Sequence, residues 1–177
     1  MTLTFLLGGA RSGKSSLAVK LGAEHHGPVA YVATCPRIDG DDDLDSRIDR
    51  HRAERPNWPT IEEPYDLRAA LGRCEDSLVI VDCLSLWVSN LMFRGDRAEV
   101  IINATDTFAV EASERDAPTV VVSNEVGMSV HPETPLGRDY RDILGSVNQV
   151  VAAHASLALL MVAGRAIELR EPRDFGA

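Results

Sequence analysis

Short, uniformly apolar runs alternate with segments of helical spacing along most of the chain. Leu3 to Leu7, Val29 to Ala33, Leu78 to Val81, Thr119 to Val122 and Leu157 to Val162 are rich in leucine or β-branched residues. Runs of this length, apolar at successive positions, read as strands buried on both faces, the habit of parallel sheets. Between them Lys14 to His26, Asp43 to Glu54, Leu67 to Leu71, Leu84 to Phe93, Glu99 to Arg115 and Leu136 to Ala153 have helical character. Alternating strand and helix requires crossovers over a mostly parallel sheet. Ile167 to Leu169 is expected as an antiparallel edge strand, and the Pro-rich, acidic stretch Arg55 to Pro64 as a loop with a short extended piece at Thr60 to Glu62. The expected fold is α/β, a sheet flanked by helices, in one domain spanning 1–177.

The uncharged stretch from Ile143 to Gly164 is long enough to cross a bilayer, but Ser146, Asn148, Gln149, His154 and Ser156 interrupt it. It reads as a helix end, a turn and a strand, with no membrane insertion. Composition narrows the partners. With 18 basic and 27 acidic residues in 177, the formal charge is −9, which repels phosphate backbones and anionic lipid surfaces and excludes nonspecific nucleic-acid binding. Any phosphate chemistry has to be local. The three cysteines, Cys35, Cys74 and Cys83, form no C-x-x-C pair and make a poor disulfide framework, which points to a reducing cytoplasm. Met1 to Leu7 lacks a basic n-region and a small-residue cleavage site, so no signal peptide is expected.

Gly8-Gly9-Ala10-Arg11-Ser12-Gly13-Lys14-Ser15 matches G-x-x-x-x-G-K-[ST] between an apolar strand and a helix. Such a loop curls its backbone N–H groups around phosphate oxygens, which a Cβ would obstruct. Lys14 adds a point charge, the helix start turns its positive end to the anion, and Ser15 offers a hydroxyl to Mg²⁺. A second acid for the metal belongs at the end of another buried strand, and Asp82 closes Leu78-Val79-Ile80-Val81. The competing reading of Asp82 is a plain N-cap for the helix that follows. The fold expected from this loop is P-loop NTPase-type.

On a helix that continues as far as Pro56, Arg47, His51 and Arg55 fall at i, i+4 and i+8 and share one face. Neighbouring cations disfavour the imidazolium, and a neutral imidazole nitrogen is a competent nucleophile toward phosphorus. The bland alternative is a solvated helix whose arginines pair with Asp43, Asp45, Asp49 and Glu54. His25, His26, His131 and His154 have no comparable setting and read as surface or turn residues.

Several segments together resemble the bifunctional adenosylcobinamide kinase/adenosylcobinamide-phosphate guanylyltransferase family of cobalamin biosynthesis. They are GGARSGKS, Tyr31 to Thr34, RIDRHRAERPNW from Arg47 to Trp58, Thr60 to Glu62, Val81 to Ser85, Asn124-Glu125-Val126-Gly127, and GRDYRDILGSVNQ from Gly137 to Gln149. The resemblance implies two activities. One moves a γ-phosphoryl from ATP or GTP to the aminopropanol hydroxyl of adenosylcobinamide. The other attacks the α-phosphate of GTP with His51, expels pyrophosphate and passes GMP to the cobinamide phosphate, giving adenosyl-GDP-cobinamide. It further implies nucleotide contacts from Gly8, Gly9, Ala10, Arg11, Ser12, Gly13, Lys14 and Ser15, from Ala33, Thr34 and Cys35, from His51, Arg52, Ala53 and Glu54, from Glu62 and from Asp82. Mg²⁺ accompanies the nucleotide at Ser15 and Asp82, no tightly bound organic cofactor is implied, and the family assembles as a homotrimer with active sites near subunit boundaries. The Glu62 carboxylate suits the guanine N1–H and N2 amino group. Asn124, Glu125, Arg138, Arg141 and Asp142 are assigned to the corrinoid-phosphate side or to subunit contacts. Ser129-Val130-His131-Pro132 and Arg165 depart from the family pattern.

Two rivals remain at this level. One is another small-molecule or nucleotide kinase on the same frame, without a covalent intermediate. The other is a GTPase switch, against which stands the absence of N-K-x-D and the position of the one D-x-x-G, Asp142 to Gly145, inside an expected helix.

Overall fold

The computed structural model describes residues 3–35, 52 and 55–172. Seven strands form one sheet: β1 (Leu3–Gly8), β2 (Val29–Ala33), β3 (Thr60–Glu62), β4 (Leu78–Asp82), β5 (Thr119–Asn124), β6 (Leu157–Val162) and β7 (Arg165–Glu168). Among the described residues the helices of more than one residue are α1 (Lys14–Glu24), α2 (Leu67–Gly72), α3 (Leu84–Arg94), α4 (Ala98–Glu114) and α5 (Pro135–His154). The strand order is β3-β2-β4-β5-β1-β6-β7. All neighbours run parallel except β6 and β7, whose antiparallel hairpin forms one edge. The expected α/β fold with an antiparallel edge is the one observed. The segment 43–54, expected as a helix, lies outside the described residues except for Arg52, which is helical.

Period-two alternation divides the apolar runs between two cores. Leu3, Phe5, Ala30, Val32, Val79, Val81 and Val121 face α2, α3, α4 and α5. Leu6, Val29, Tyr31, Leu78, Ile80, Val120 and Val122 face α1 and Trp58. Helix α4 buries Ile101, Thr105, Phe108, Ala109 and Ala112, a stripe at helical spacing. The Thr105 hydroxyl is satisfied by donating 2.8 Å to the Ile101 carbonyl. Local chemistry sets the helix ends. Asp66 caps α2 by accepting from the Ala69 amide at 3.0 Å, Thr134 caps α5 from Gly137 with Pro135 at its start, and Gly95 ends α3 at a φ of 96° that favours glycine.

The short extended piece expected at Thr60 to Glu62 is a strand of the sheet, registered on Tyr31 to Ala33, because the open edge of β2 offers it a ladder of unpaired backbone groups. Two other details differ from the pattern reading. Strand β6 is not buried on both faces: Leu157, Leu159 and Leu160 are half-buried and Val162 is exposed. Its outer neighbour is only β7, exposed at all four positions, so the edge hairpin covers little. The expected tail strand also begins earlier, at Arg165, and the Leu169 N–H extends its pairing by donating to the Ala158 carbonyl at 2.9 Å. The three cysteines form no disulfide, and among the described residues no helix is long and apolar enough to cross a membrane.

Parallel pairing brings strand ends to one edge. Ala33 registers with Glu62 and with Asp82, and Gly8 registers with Asn124. That edge is where an open α/β sheet binds its ligand. Phe108 is fully buried in the larger core, so Phe108→Ala should lower unfolding free energy by about 3–5 kcal/mol, read as a lower urea midpoint at unchanged slope.

Candidate active site

Residues 8–15 form the turn from β1 into α1, and its path is tight at two positions, Gly8 and Gly13. A Cβ on Gly8 would lie 2.4 Å from the Met161 carbonyl oxygen and 2.8 Å from Ser12 Oγ. Gly13, with a φ of 101°, sits against Gly164, where a Cβ would come within 3.3 Å of its Cα. Backbone bonds tie the loop to its surroundings: Gly164 N–H donates to the Ser12 carbonyl at 2.9 Å, and Glu125 N–H donates to the Gly8 carbonyl at 3.1 Å. Arg11 takes a left-handed φ of 56° at the crest.

Lys14 lies inside this turn, 6% exposed. Its ammonium donates to the carbonyls of Gly8 and Gly9, each at 2.8 Å, and to Ser12 Oγ at 3.4 Å. Burial lowers its pKa, while Cys83 and Asp82 nearby act in the opposite sense. The charge is thus held at the N-terminus of α1, where the amides and helix dipole also favour an anion.

A cavity of about 520 Å³ opens over the loop. Its wall includes Ala10, Arg11, Ser12, Gly13, Lys14 and Ser15, and beyond them Ala33, Cys35, Arg52, Glu62, Asp82 and Asn124. Most nucleotide-contact positions expected from the sequence therefore surround one space. Gly8 and Gly9 hold the Lys14 ammonium through their carbonyls, and Thr34 is fully buried as a brace. Its hydroxyl accepts from the Cys83 amide at 2.9 Å and donates to the Cys83 carbonyl at 2.8 Å. Asn90 secures the Thr34 carbonyl at 2.7 Å. His51, Ala53 and Glu54 lie outside the described residues, as does Arg47. Arg55 is beyond the helical residue Arg52, in a bend. Arg52 approaches Glu62 Oε1 at 3.4 Å, both half-exposed.

Asp82 is not a helix cap. The N-cap of α3 is Cys83, with no side-chain capping bond, and Asp82 Oδ2 instead accepts a hydrogen bond from the Tyr31 hydroxyl at 2.7 Å. The Arg55 guanidinium lies over the Tyr31 ring, 3.5 Å from its centroid, and donates to Thr60 Oγ1 at 3.0 Å. Burial, with Asp82 beside it, raises the Tyr31 pKa, so the phenol stays protonated at neutral pH. Tyr31, Cys83, Leu86 and Thr60 line the cavity as well, and none was singled out for a site from the sequence. Below them Cys83 Sγ meets Ser85 Oγ at 2.9 Å, and burial pushes the thiol up to about 11, so it remains neutral.

The group assigned to the acceptor side separates. Asn124 lines the cavity and donates to Ser85 Oγ at 3.1 Å. Glu125 accepts from the amides of Gly127 and Met128 at 2.9 and 3.1 Å. Arg138 donates to the Pro132 and Glu133 carbonyls, and Arg141 bonds Asp142 and His131. These last residues shape the 126–134 loop and its join to α5.

A family model described as cobinamide kinase / cobinamide phosphate guanyltransferase matches residues 4–169. The chain is 38% identical over 172 residues to the bifunctional adenosylcobalamin biosynthesis protein CobP of Pseudomonas aeruginosa, covering 93% of this chain and 95% of that one. It is 36% identical over 183 residues to the bifunctional adenosylcobalamin biosynthesis protein CobU of Escherichia coli, covering 95% and 99%. In fold it is similar to protein PH0250 of Pyrococcus horikoshii, with a TM-score of 0.56 at 11% identity over 98% of this chain and 88% of that one. It is also similar to a type III secretion system ATPase, at 0.56 and 8% identity over 94% and 56%. A KaiC-like protein of Pyrococcus horikoshii gives 0.50 at 13% over 90% and 70%. The architecture is that of a P-loop NTPase.

Since a Cβ on Gly8 would clash with backbone and one on Gly9 would meet nothing within 4 Å, the two neighbours should respond differently. Gly8→Ala should cost about 1–3 kcal/mol, whereas Gly9→Ala should stay within about 0.5 kcal/mol, both measured by urea unfolding.

Proposed function

We propose a function from the premise that the chain belongs to the cobinamide kinase / cobinamide phosphate guanyltransferase family. It phosphorylates adenosylcobinamide with ATP or GTP, then transfers GMP from GTP through a His51–GMP intermediate to give adenosyl-GDP-cobinamide. The observation that carries this reading is the cavity in which the glycine loop, Lys14, Asp82 and the ends of β2 and β3 meet beside Arg52, the residue following His51.

In the kinase step the loop amides and the Lys14 ammonium hold the β- and γ-phosphates, and the acceptor hydroxyl oxygen attacks the γ-phosphorus: an O–P bond forms, the β–γ bridging P–O bond breaks, the nucleoside diphosphate leaves with the electron pair, and the hydroxyl proton passes to solvent. In the second step a neutral His51 nitrogen attacks the α-phosphorus. A P–N bond forms, the α–β bridging P–O bond breaks, and pyrophosphate leaves with the electron pair. An oxygen of the cobinamide phosphate then attacks the same phosphorus, the P–N bond breaks and His51 is regenerated. The covalent relay lets one nucleotide pocket serve two acceptors in turn. The two ends of Glu62's surroundings fit a guanine contact, since its carboxylate lines the cavity and faces Arg52.

Mg²⁺ fits the donor set. Ser15 and Asp82 present hard oxygen donors on the wall that carries Lys14, and among the described residues no cluster of three His, Cys, Asp or Glu side chains is poised for a metal. An ion held by one or two protein oxygens plus phosphates needs no such cage. When bound it offsets charge on the phosphate oxygens. The assignment of a homotrimer in the cytoplasm, with one domain spanning 1–177, belongs to the same proposal.

Two variants divide the activities. Lys14→Ala should abolish both phosphorylation and GMP transfer. His51→Ala should lower GMP transfer roughly a thousandfold while leaving phosphorylation of adenosylcobinamide within about twofold. Equal loss of both activities in His51→Ala, with the fold intact, would contradict the assignment of His51 to the second step alone.

A further inference from the structure

We infer that Tyr31 is a positioning residue for the Asp82 carboxylate, presenting one of its oxygens to the divalent cation that accompanies the nucleotide. The inference rests on the reading of Asp82 as a ligand of that cation, and concerns what aims it. A tyrosine at this point of β2 is not required by packing. The ring belongs to the smaller core with Leu6, Ile80 and Val122, and phenylalanine would fill the same volume. What the hydroxyl adds is the 2.7 Å bond to Asp82 Oδ2. Among the described residues no other side chain or amide bonds that carboxylate, and none bonds Oδ1, although Lys14 and Ser15 line the same cavity.

The carboxylate sits at the end of β4 with rotational freedom about its terminal bonds, and a single fixed donor on one oxygen removes much of it. The donor is itself fixed on three sides. The Tyr31 amide is tied to the Pro59 carbonyl at 2.9 Å, its ring is 5% exposed within the core, and the Arg55 guanidinium closes the remaining face while bonded to Thr60. Supporting residues that hold a ligand's orientation in this manner govern metal affinity without touching the metal.

The test uses Mn²⁺ as the probe, titrated by electron paramagnetic resonance into the full chain saturated with α,β-methylene GTP. Tyr31→Phe should weaken Mn²⁺ binding about tenfold while leaving affinity for the nucleotide in EDTA within about twofold. Asp82→Asn should weaken Mn²⁺ binding at least as much, and the double variant should be no worse than Asp82→Asn alone, because Tyr31 acts through Asp82. Unchanged Mn²⁺ affinity in Tyr31→Phe alongside weakened binding in Asp82→Asn overturns the positioning role and leaves the metal reading intact. Unchanged affinity in Asp82→Asn overturns both. A measurement on the unaltered residue guards against a folding effect. With ¹³Cζ-tyrosine incorporated, the Tyr31 resonance should shift when Mg²⁺ joins the nucleotide complex, and not in Asp82→Asn. A Tyr31 signal indifferent to Mg²⁺ in the unaltered chain contradicts the inference.

Discussion

The close approach of residues 8–13 to the end of β6 is the constraint on which the site depends. Gly8 is packed against the Met161 carbonyl and Gly13 against Gly164, so the backbone turns where no side chain would fit. With the loop in that place, the Gly8 and Gly9 carbonyls converge on the Lys14 ammonium, and the first turn of α1 points at the same space. The sheet then contributes by register: parallel pairing of β1, β2, β3, β4 and β5 brings Asn124, Ala33, Glu62 and Asp82 to the edge that the loop overhangs. Local strain-free turning at glycine and long-range strand alignment are thus two requirements satisfied at one edge.

Charge is distributed to suit. A chain of formal charge −9 places Arg11, Lys14, Arg52 and Arg55 around one cavity that has Glu62 and Asp82 as its carboxylates. Both acids have a cation or donor beside them, Glu62 with Arg52 and Asp82 with Tyr31. Several other acids pair along the surface, such as Glu111 with Arg68 and Glu63 with Arg73. The local concentration of cations and backbone amides favours a bound polyphosphate, while the acidic remainder disfavours extended polyanions.

Much of the fold was legible in the sequence because its strongest signals are local. The five apolar runs became five strands, and the glycine motif stood where a strand meets a helix. The weaker readings depended on tertiary context. The extended piece expected at Thr60 to Glu62 becomes a sheet strand because β2 leaves an edge open. Strand β6 has the composition of a fully buried strand, but its position beside a four-residue edge strand leaves half of it partly exposed. Asp82 could be a cap or a ligand from spacing alone, and its hydrogen bond to Tyr31 across two strands removed the first option. Tyr31 carried no signal of its own, since an aromatic side chain inside an apolar run is what a core would contain anyway. Arg55, placed by its spacing on a helical face with Arg47 and His51, stacks on Tyr31, and those two partners lie outside the described residues. The acceptor-side group could not be sorted from the sequence either, because Glu125, Arg138 and Arg141 spend their bonding on the 126–134 loop and only Asn124 reaches the cavity.

In the proposed function one nucleotide site is used twice, once through the γ-phosphate and once through the α-phosphate. The most direct measurement is intact-protein mass spectrometry after incubation with GTP and Mg²⁺, followed by peptide mapping. The account predicts one acid-labile GMP per chain, located on His51 and discharged on adding cobinamide phosphate. Turnover to adenosyl-GDP-cobinamide with no covalent GMP on His51 at any time point would contradict it.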